Sequence, residues 1–589
     1  MMKSLLLYNN NISPDFVQDF RDYIGETKPF SITNQTLARE DYSFDLVASE
    51  FLKSMPNNKY DAIFIPINLS VDNYLEFSGL RIGYHIRLTS EFNNQETPIV
   101  FMARESAFEI NKLSFLGEIL GCPQIYMTDK LEIDDFVRQI EFIQSTSKEN
   151  VLKGFLDRIH IKPTGNYTTH HTIANEWSIL RWFKTILKSE IIDYIPEEIE
   201  SIESKINSNL YCKYLTCKFP VNNVQGLSVE DLKLKFNGKI LYIDDEKDKG
   251  WNELFCALFY DGIINKVEDY ESFGSEFKEL EKDEIIKLSV NKAKDFDLVI
   301  LDFRLTEDDF YETDPKKITG YKILEGIKAH NKGIQVVVFS ATNKVWNLQA
   351  LQDAGADGFI VKESPENIID KYFTVESLKN VTTIIDSCFK YKFLKNIFHT
   401  SKDLEIQLRD RINYKKRTDF LPKEFVDEVL KWLQISNFNL AVNKSELGIT
   451  TSFILYFSLI ENIANRLIDV DNPIQINQRN SESKFVFEFR TSTTKLSVFG
   501  EDKENPGNYR KLNKVLESNN RGISWTQKIL NTLDHICGTI MDQGTINRLI
   551  TKRNDIIHAN ITTGERINIE IQDLEDVFKI INEGLKNIK

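Results

Sequence analysis

The chain has 589 residues and a formal net charge of −15. This length exceeds what one hydrophobic core organises, so three or four domains are expected. The acidic balance excludes a bulk nucleic-acid binder and restricts any such contact to a local basic patch. The N-terminus is too short in apolar residues for a signal peptide, and no run approaches the roughly 20 apolar residues that span a bilayer, which predicts a cytoplasmic protein without membrane contact.

Residues 1–148 alternate short apolar segments with a helical pattern. The strand-like and helix-like segments are KSLLLYNN, YDAIFIPINLS, SGLRIGYHIRL, TPIVFMARE and GCPQIYMT. This alternation predicts a doubly wound α/β domain with a parallel sheet. The residues at its strand ends are neutral, namely Asn9, Asn10, Pro66 and Thr128.

Residues 149–236 are predicted to be a helical linker or docking region. The segment NYTTHHTIANEWSILRWFKTIL has its large apolar side chains at helical spacing, which indicates a helix that packs inward. His170 and His171 are adjacent and point about 100° apart on a helix, so they cannot easily chelate one metal ion. Cys212 and Cys217 lack a second pair of ligands, so reduced thiols are favoured over a structural zinc.

Residues 237–395 place a polar residue at the end of each of several apolar strands. The segments are GKILYIDDEKDKGW, DFDLVILDFRLTEDD, TGYKILEGIKAH, IQVVVFSATNK and DAGADGFIVKES. The strand-end residues are Asp244, Asp245, Asp302, Ser340 and Lys362. In a parallel α/β sheet these ends meet at one edge, where the site lies. Three carboxylates in one crevice repel each other unless a hard cation lies among them.

This set resembles the receiver domain of two-component response regulators. The resemblance implies a flavodoxin-like fold and a Mg²⁺ site, whose ligands are Asp244, Asp245, Asp302 and the backbone carbonyl of Arg304. It implies that Asp302 is the phosphoacceptor and that a histidine kinase or another phosphodonor is the partner. The implied phosphoryl-contacting and switch residues are Ser340, Lys362 and Phe359. One departure is that the proline common after the lysine is displaced in KESP.

Residues 1–148 align strand by strand with this receiver-like segment, so the chain contains an internal repeat. Asn9 and Asn10 replace the acidic pair, Pro66 replaces the phosphoacceptor, and Thr128 replaces the lysine. Neutral amides hold Mg²⁺ poorly, and a proline cannot accept a phosphoryl group. Residues 1–148 are therefore predicted to be a pseudo-receiver that docks to the true receiver, to a kinase or to a second copy of the chain.

The chain becomes mainly helical beyond about residue 400, with a predicted helical linker over 396–435 and a helical bundle over 436–589. One β-rich insertion, SKFVFEFRTSTTKLSVFG, interrupts the bundle. Near the end of the helical bundle, Arg553 falls on the apolar stripe of a helix. A guanidinium cannot stay unpaired in a core, and Glu461 on an earlier helix is the predicted partner. Asn554 and His558 are i, i+4 neighbours beside it.

The R-x4-H spacing in RNDIIHA resembles the HEPN superfamily (higher eukaryotes and prokaryotes nucleotide-binding), in which it marks metal-independent RNA endonucleases. The resemblance implies a catalytic set of Arg553, Asn554 and His558, no cofactor, and a 2′,3′-cyclic phosphate product. The Arg553 guanidinium would stabilise the negatively charged phosphorane formed during cleavage. The His558 imidazole would transfer the proton. The competing interpretation is a structural ion pair between Arg553 and Glu461, which is also compatible with Glu461 orienting the arginine.

These features predict a multidomain chain with two flavodoxin-like α/β domains followed by an all-α HEPN-like domain. The leading hypothesis is a homodimeric response regulator whose phosphorylation controls an RNA endonuclease, with bacterial stress or phage defence as the expected setting. RNA would contact a local basic patch, formed by Lys511, Lys514, Arg548 and Lys552. The alternative is a non-catalytic phospho-regulated scaffold whose helical domain binds RNA, nucleotide or protein.

Overall fold

The structure is a computed structural model of the whole chain. It describes residues 3–9, 12–30, 40–55, 58–69, 77–130, 132–144, 150–163, 167–221, 227–260, 264, 266–341, 345–364, 372–413, 422–477, 483–490, 492–505, 508–519, 522–537, 542–557 and 568–587. Two parallel α/β sheets are followed by a mainly helical C-terminal region. His558 and Asn10 lie outside the described residues, as do the side chains of His170 and His171.

The elements are numbered in chain order. The strands are β1 Ser4–Tyr8, β2 Gly25–Pro29, β3 Ala62–Pro66, β4 Ile99–Met102, β5 Ile125–Thr128, β6 Gly238–Ile243, β7 Val267–Phe273, β8 Leu298–Leu301, β9 Gln335–Ser340, β10 Gly358–Val361, β11 Ile474–Asn477, β12 Ser483–Val486, β13 Ser497–Glu501, β14 Tyr509–Val515 and β15 Glu517–Ser518. The helices are α1 Pro14–Tyr23, α2 Glu40–Ser54, α3 Ser78–Leu88, α4 Ala107–Leu113, α5 Ile133–Gln144, α6 Val151–Leu156, α7 Tyr167–Lys188, α8 Glu197–Ser208, α9 Leu210–Lys218, α10 Trp251–Tyr260, α11 Lys282–Lys292, α12 Thr319–His330, α13 Val345–Asp353, α14 Phe373–Lys390, α15 Phe393–Asn413, α16 Lys423–Val442, α17 Glu446–Leu467, α18 Trp525–Cys537, α19 Gln543–Ile557 and α20 Ile571–Asn587.

The two sheets repeat one topology. The first has the order β2-β1-β3-β4-β5 and the second the order β7-β6-β8-β9-β10, with every pair parallel. Their central strands are continuous runs of Ile, Val, Leu and Phe, because both faces are covered by helices. This is the doubly wound order of flavodoxin-like folds, so the predicted α/β repeat and its fold class are confirmed.

The described helices within residues 149–236 form part of a shared core. One hydrophobic cluster extends from Leu7 in β1, through Trp182 in α7, to Tyr242 in β6 and Phe389 in α14. It covers the face of the second sheet that carries α10 and α14. The first α/β domain, the linker helices and the second α/β domain therefore pack as one continuous body around α7.

A buried polar network fastens the linker to the first domain. Asp45 on α2 accepts a hydrogen bond from Arg81 Nε (2.7 Å) and contacts His85 Nε2 (2.8 Å), and both of these residues are on α3. Asp45 also accepts from the N–H of Leu210 at the start of α9 (2.9 Å). Burial opposes ionisation of Asp45, but His85 and Arg81 together hold its pKa below the ordinary range. Lys213 extends the network to the ring of His85 (3.3 Å).

Replacing Asp45 with asparagine is expected to lower the free energy of unfolding by about 3–5 kcal/mol, because Arg81 would be left buried without its counter-charge. Glu50→Gln, at an exposed position of the same helix, is the control and should change stability by about 0.5 kcal/mol or less. Urea unfolding of both variants measures the difference. Equal stability of the two variants would show that the network contributes little.

The C-terminal region has its own core, and the predicted linker helices belong to it. Leu404 on α15 and Leu430 on α16 share one cluster with Phe453 on α17, Leu533 on α18 and Ile581 on α20. The predicted β-rich insertion contributes β12 and β13 to two small antiparallel sheets, β11-β12-β15 and β13-β14, whose other strands lie before and after it in the chain. Among the described residues, α17 is the one helix long and apolar enough to cross a membrane. More than half of its most apolar stretch is buried in the fold, and the core helix of a soluble protein can have the same length and composition.

The C-terminal region contacts the second sheet at the N-terminal ends of its strands. Lys444, in the turn between α16 and α17, donates to Asp357 Oδ1 (2.6 Å) and Gln335 Oε1 (2.7 Å). The Tyr391 hydroxyl, just past the end of α14, donates to the Lys444 carbonyl. Because α14 begins at the opposite edge of the sheet, this helix joins the carboxyl ends of the strands to the C-terminal region.

Candidate functional site

Three charged side chains meet at the carboxyl edge of the second sheet. Asp244, Asp302 and Lys362 are the first residues after β6, β8 and β10, respectively. All three are buried. Parallel strands bring these positions to one edge, at the point where the strand order reverses between β6 and β8.

Lys362 bridges the two aspartates. Its Nζ lies 2.6 Å from Asp244 Oδ2 and 2.5 Å from Asp302 Oδ2. Burial alone disfavours the ammonium, yet the two carboxylates outweigh it and raise the pKa of Lys362 above its usual value. The lysine is therefore a fixed positive charge held directly beside both acids.

Other bonds fix the two carboxylates in place. Asp244 accepts from the hydroxyl of Tyr242 and from the Glu246 N–H (2.7 Å). Asp302 accepts from the Phe303 N–H (2.6 Å). Each acid is therefore oriented by residues next to it in the chain as well as by Lys362.

A third acid completes a cation-binding group. Oxygen atoms of Asp244, Asp245 and Asp302 lie within 4.8 Å of one another, and no other such group of three ligands occurs among the described residues. Burial and the charges of the other two acids raise the pKa of Asp245 to about 8. A hard dication would remove this repulsion, and carboxylate oxygens are the ligands it prefers, so these residues fit Mg²⁺. Arg304, whose carbonyl is the further predicted ligand, lies on the same loop as Asp302.

The remaining predicted residues lie on the two neighbouring strands. Ser340 is the buried last residue of β9, and its carbonyl accepts from the Lys362 N–H (2.9 Å). Phe359, in β10, is half-buried against the core on the other face of the sheet from α14. The structure thus brings Ser340 beside Lys362 and leaves Phe359 at the margin of the core.

The same edge of the first sheet has lost these charges. Asn9 follows β1 and donates to the Asn68 carbonyl (3.1 Å), and Pro66 ends β3. Both residues line a cavity of about 350 Å³ together with Thr128. Within the described residues no group of three potential metal ligands occurs at this edge, where Glu105 and Asp129 are the carboxylates that line the cavity, and Pro66 cannot accept a phosphoryl group.

Helix α7 contacts the acidic side of the second site, which sequence reasoning missed. Thr172 Oγ1 donates to Glu246 Oε1, and Asn175 Nδ2 donates to Glu246 Oε2, both at 2.7 Å. Glu246 is the residue after the paired aspartates, and its own N–H holds Asp244. The signal in the sequence was a third acid directly after the aspartate pair.

Helix α7 also contacts the lysine side, through the residue that stands where a proline was expected. Glu363 is buried, and its carboxylate accepts from Arg181 Nε (2.7 Å), Trp182 Nε1 (2.9 Å) and Thr374 Oγ1 (2.9 Å). The Ser178 hydroxyl donates to the Glu363 carbonyl. Burial raises the pKa of Glu363, an effect that Arg181 opposes.

A separate group surrounds Arg553 in the C-terminal region. Arg553 Nη2 lies 2.6 Å from Glu461 Oε1, its guanidinium lies 4.2 Å from the centre of the Trp525 ring, and Nη1 donates to Asn554 Oδ1 (3.2 Å). The Arg553 side chain is 14% exposed and that of Glu461 25%. The ion pair expected between these two residues is present, and its geometry suits both the catalytic and the structural interpretation.

The expected basic patch is largely neutralised. Arg548 and Lys552 both pair with Asp573, at 3.1 Å and 2.6 Å, and Lys511 pairs with Asp534 at 2.7 Å. Three of the four predicted patch cations are thus paired with acids on α18 and α20, and the contact of this patch with RNA stays a prediction.

Two family models match the chain. The model described as "Inactive Receiver domain" matches residues 22–128, and that described as "Response regulator receiver domain" matches residues 281–373. The second match includes Asp302, Lys362 and Phe359 but begins after the strand that leads to the paired aspartates. The chain thus contains an inactive receiver followed by a receiver domain, which supports two-component-type regulation. Receiver domains of the second kind generally bind Mg²⁺ and receive phosphoryl groups from histidine kinases or other donors.

Solved structures of response regulators are also similar to part of the chain. A LuxR-family regulator from Aurantimonas sp. SI85-9A1 is 14% identical, with 25% of this chain and 86% of that chain covered and a TM-score of 0.17. The CheX–CheY–BeF3–Mg²⁺ complex from Borrelia burgdorferi is 20% identical, with 24% and 87% covered and a TM-score of 0.17. No curated protein matches the chain.

Proposed function

We propose that the chain is a response regulator in which phosphorylation of Asp302 controls the C-terminal helical region. The observation that carries this proposal is the position of Lys362, held between Asp244 and Asp302 at 2.6 Å and 2.5 Å. A cation at this place both balances the resting acids and stands beside the atom that would receive a phosphoryl group.

The proposed reaction transfers a phosphoryl group from a phosphohistidine or acyl phosphate. An Asp302 carboxylate oxygen forms a bond to phosphorus while the bond from phosphorus to the donor breaks, and the donor group leaves with that electron pair. Mg²⁺, held by Asp244, Asp245 and Asp302, would offset the negative charge that collects there. Lys362 would move part of its contact from the Asp302 carboxylate to the new phosphoryl oxygens, with Ser340 beside it.

The route to the C-terminal region follows α14. Its first turn carries Thr374, which donates to Glu363 next to Lys362. Just past its last turn, Tyr391 donates to the Lys444 carbonyl. A shift of the Lys362–Glu363 peptide therefore reaches the C-terminal region through one rigid helix.

For the output we propose metal-independent RNA cleavage by Arg553, Asn554 and His558. His558 takes the proton of a ribose 2′-OH as that oxygen bonds to phosphorus. The 5′-oxygen leaves with the electron pair of its broken bond to phosphorus and takes up the proton that His558 carries. Arg553 stabilises the phosphorane, and Glu461 and Trp525 hold its guanidinium. Two copies in a homodimer would supply two such sets to one cleft, and the setting would be bacterial stress or phage defence.

One observation favours a second candidate, the non-catalytic scaffold. The Arg553 cation is already balanced by Glu461 and covered by Trp525, and the cations nearest to it in sequence pair with Asp573. A site whose nearest cations are already paired with acids suits binding of a protein partner better than binding of RNA.

Cleavage of RNA by purified protein separates the two candidates. With a phosphodonor and Mg²⁺ present, His558→Ala is expected to cut about 100-fold more slowly than wild type. The control is Asp555→Asn, an exposed position on α19, which should cut at the wild-type rate. Equal cleavage by wild type and His558→Ala would refute the catalytic assignment, and no cleavage under any condition would support the scaffold.

A further inference from the structure

We propose that helix α7, which lies outside both receiver domains, supplies positioning residues for the phosphoacceptor site. The inference rests on the proposed phosphorylation of Asp302. It assigns to Asn175 and Arg181 the role of holding the two halves of that site, the acids and the lysine. Docking of α7 and phosphorylation then stabilise each other.

The acidic half is held through Glu246. Asn175 and Thr172 each donate to one of its carboxylate oxygens at 2.7 Å, so both oxygens of Glu246 are bonded to α7. The N–H of Glu246 in turn donates to Asp244 Oδ1 at 2.7 Å. The backbone that orients one predicted metal ligand is therefore fixed by a helix from another part of the chain.

The lysine half is held through Glu363. The side chain of Glu363 is completely buried and that of Arg181 is 5% exposed, with Arg181 Nε 2.7 Å from Glu363 Oε1. A carboxylate at this depth is stable only with its partners, so Glu363 moves with α7 or loses a buried ion pair. Because Glu363 directly follows Lys362, any displacement of the ammonium towards a phosphoryl group is transmitted to these bonds.

Other charges on α7 provide a matched control. Lys184 pairs with Glu203 on α8 at 2.7 Å, and both side chains are about 30% exposed. This pair lies on the same helix as Arg181 but contacts the linker helices rather than the receiver. Its removal tests whether any loss of an α7 ion pair affects the site.

The two halves predict different kinetic defects. Arg181→Ala disturbs the lysine and is expected to slow the maximal rate of Asp302 phosphorylation about tenfold at saturating Mg²⁺. Asn175→Ala disturbs the acids and is expected to raise the Mg²⁺ concentration for half-maximal rate about tenfold instead. Lys184→Ala should stay within about twofold of wild type in both quantities. A general loss of stability would not separate the two parameters in this way.

The experiment measures phosphorylation of the full chain by acetyl phosphate, followed by intact mass over a Mg²⁺ titration. A second comparison adds Glu363→Gln to Arg181→Ala, which removes the unpaired buried charge and should restore part of the rate. If Arg181→Ala alone folds poorly, the double variant with Glu363→Gln is the one whose labelling rate is compared with wild type. If the wild-type chain is labelled, and Arg181→Ala and Asn175→Ala have its maximal rate and its half-maximal Mg²⁺ concentration, this inference is overturned but the proposed function is not. Failure to label wild type contradicts the proposed function, and the inference falls with it.

Discussion

Asp302→Asn is expected to abolish phosphorylation of the chain by acetyl phosphate with Mg²⁺. An amide cannot serve as the phosphoacceptor. The other carboxylate beside Lys362, that of Asp244, has one oxygen bonded to the Glu246 N–H and the other to both Tyr242 and Lys362. Intact mass spectrometry, which detects the added phosphoryl group, is the measurement.

The control for this prediction is Asp308→Asn, an exposed acid on the same loop. It should be phosphorylated like wild type, because its carboxylate is remote from the lysine. Undiminished labelling of the Asp302→Asn variant would mean that another residue is the acceptor.

Lys362→Met is expected to lower the free energy of unfolding by about 3–5 kcal/mol when Mg²⁺ is absent. The substitution keeps the volume but leaves Asp244 and Asp302 buried side by side without their shared cation. Saturating Mg²⁺ is expected to recover part of the loss, because a dication bound by the same acids supplies positive charge. Urea unfolding with and without Mg²⁺ measures both effects.

Lys322→Met is the matched control, since Lys322 forms an exposed pair with Glu325 on α12. Its stability should change by about 1 kcal/mol or less and should respond to Mg²⁺ as wild type does. A Lys362→Met variant as stable as this control would contradict the assignment of Lys362 as the charge that balances the resting site.

The α/β repeat was predictable because its signals are local. Buried parallel strands are short unbroken apolar runs, and the residue after each run must lie at the carboxyl edge. Asp244, Asp302 and Lys362 could therefore be placed together from sequence order alone. The same reasoning identified Asn9 and Pro66 as their neutral counterparts.

The contacts of α7 were not predictable because they join residues far apart in the chain. Arg181 interrupts an apolar helix in the same manner as Arg553, and that signal indicates a buried acid without saying which one. Glu363 stood only as a departure from an expected proline. The pairing of the two depends on how the linker packs against the second sheet, which no local pattern encodes.

The C-terminal region shows the same limit. The contact between Arg553 and Glu461 could be expected from the apolar stripes of two helices. The neutralisation of Arg548 and Lys552 by Asp573 could not, since the acid lies on the last helix and its orientation depends on the bundle. A count of nearby basic residues in a sequence therefore does not show which of them are paired with acids.

The central claim is that phosphorylation at Asp302 acts on the C-terminal region. Hydrogen–deuterium exchange of wild type and Asp302→Asn, each with and without beryllofluoride and Mg²⁺, tests it most directly. We expect exchange to change in α14 and in α15 to α17 around Lys444, in wild type alone. Changes confined to residues 238–361, or the same changes in Asp302→Asn, would contradict the claim.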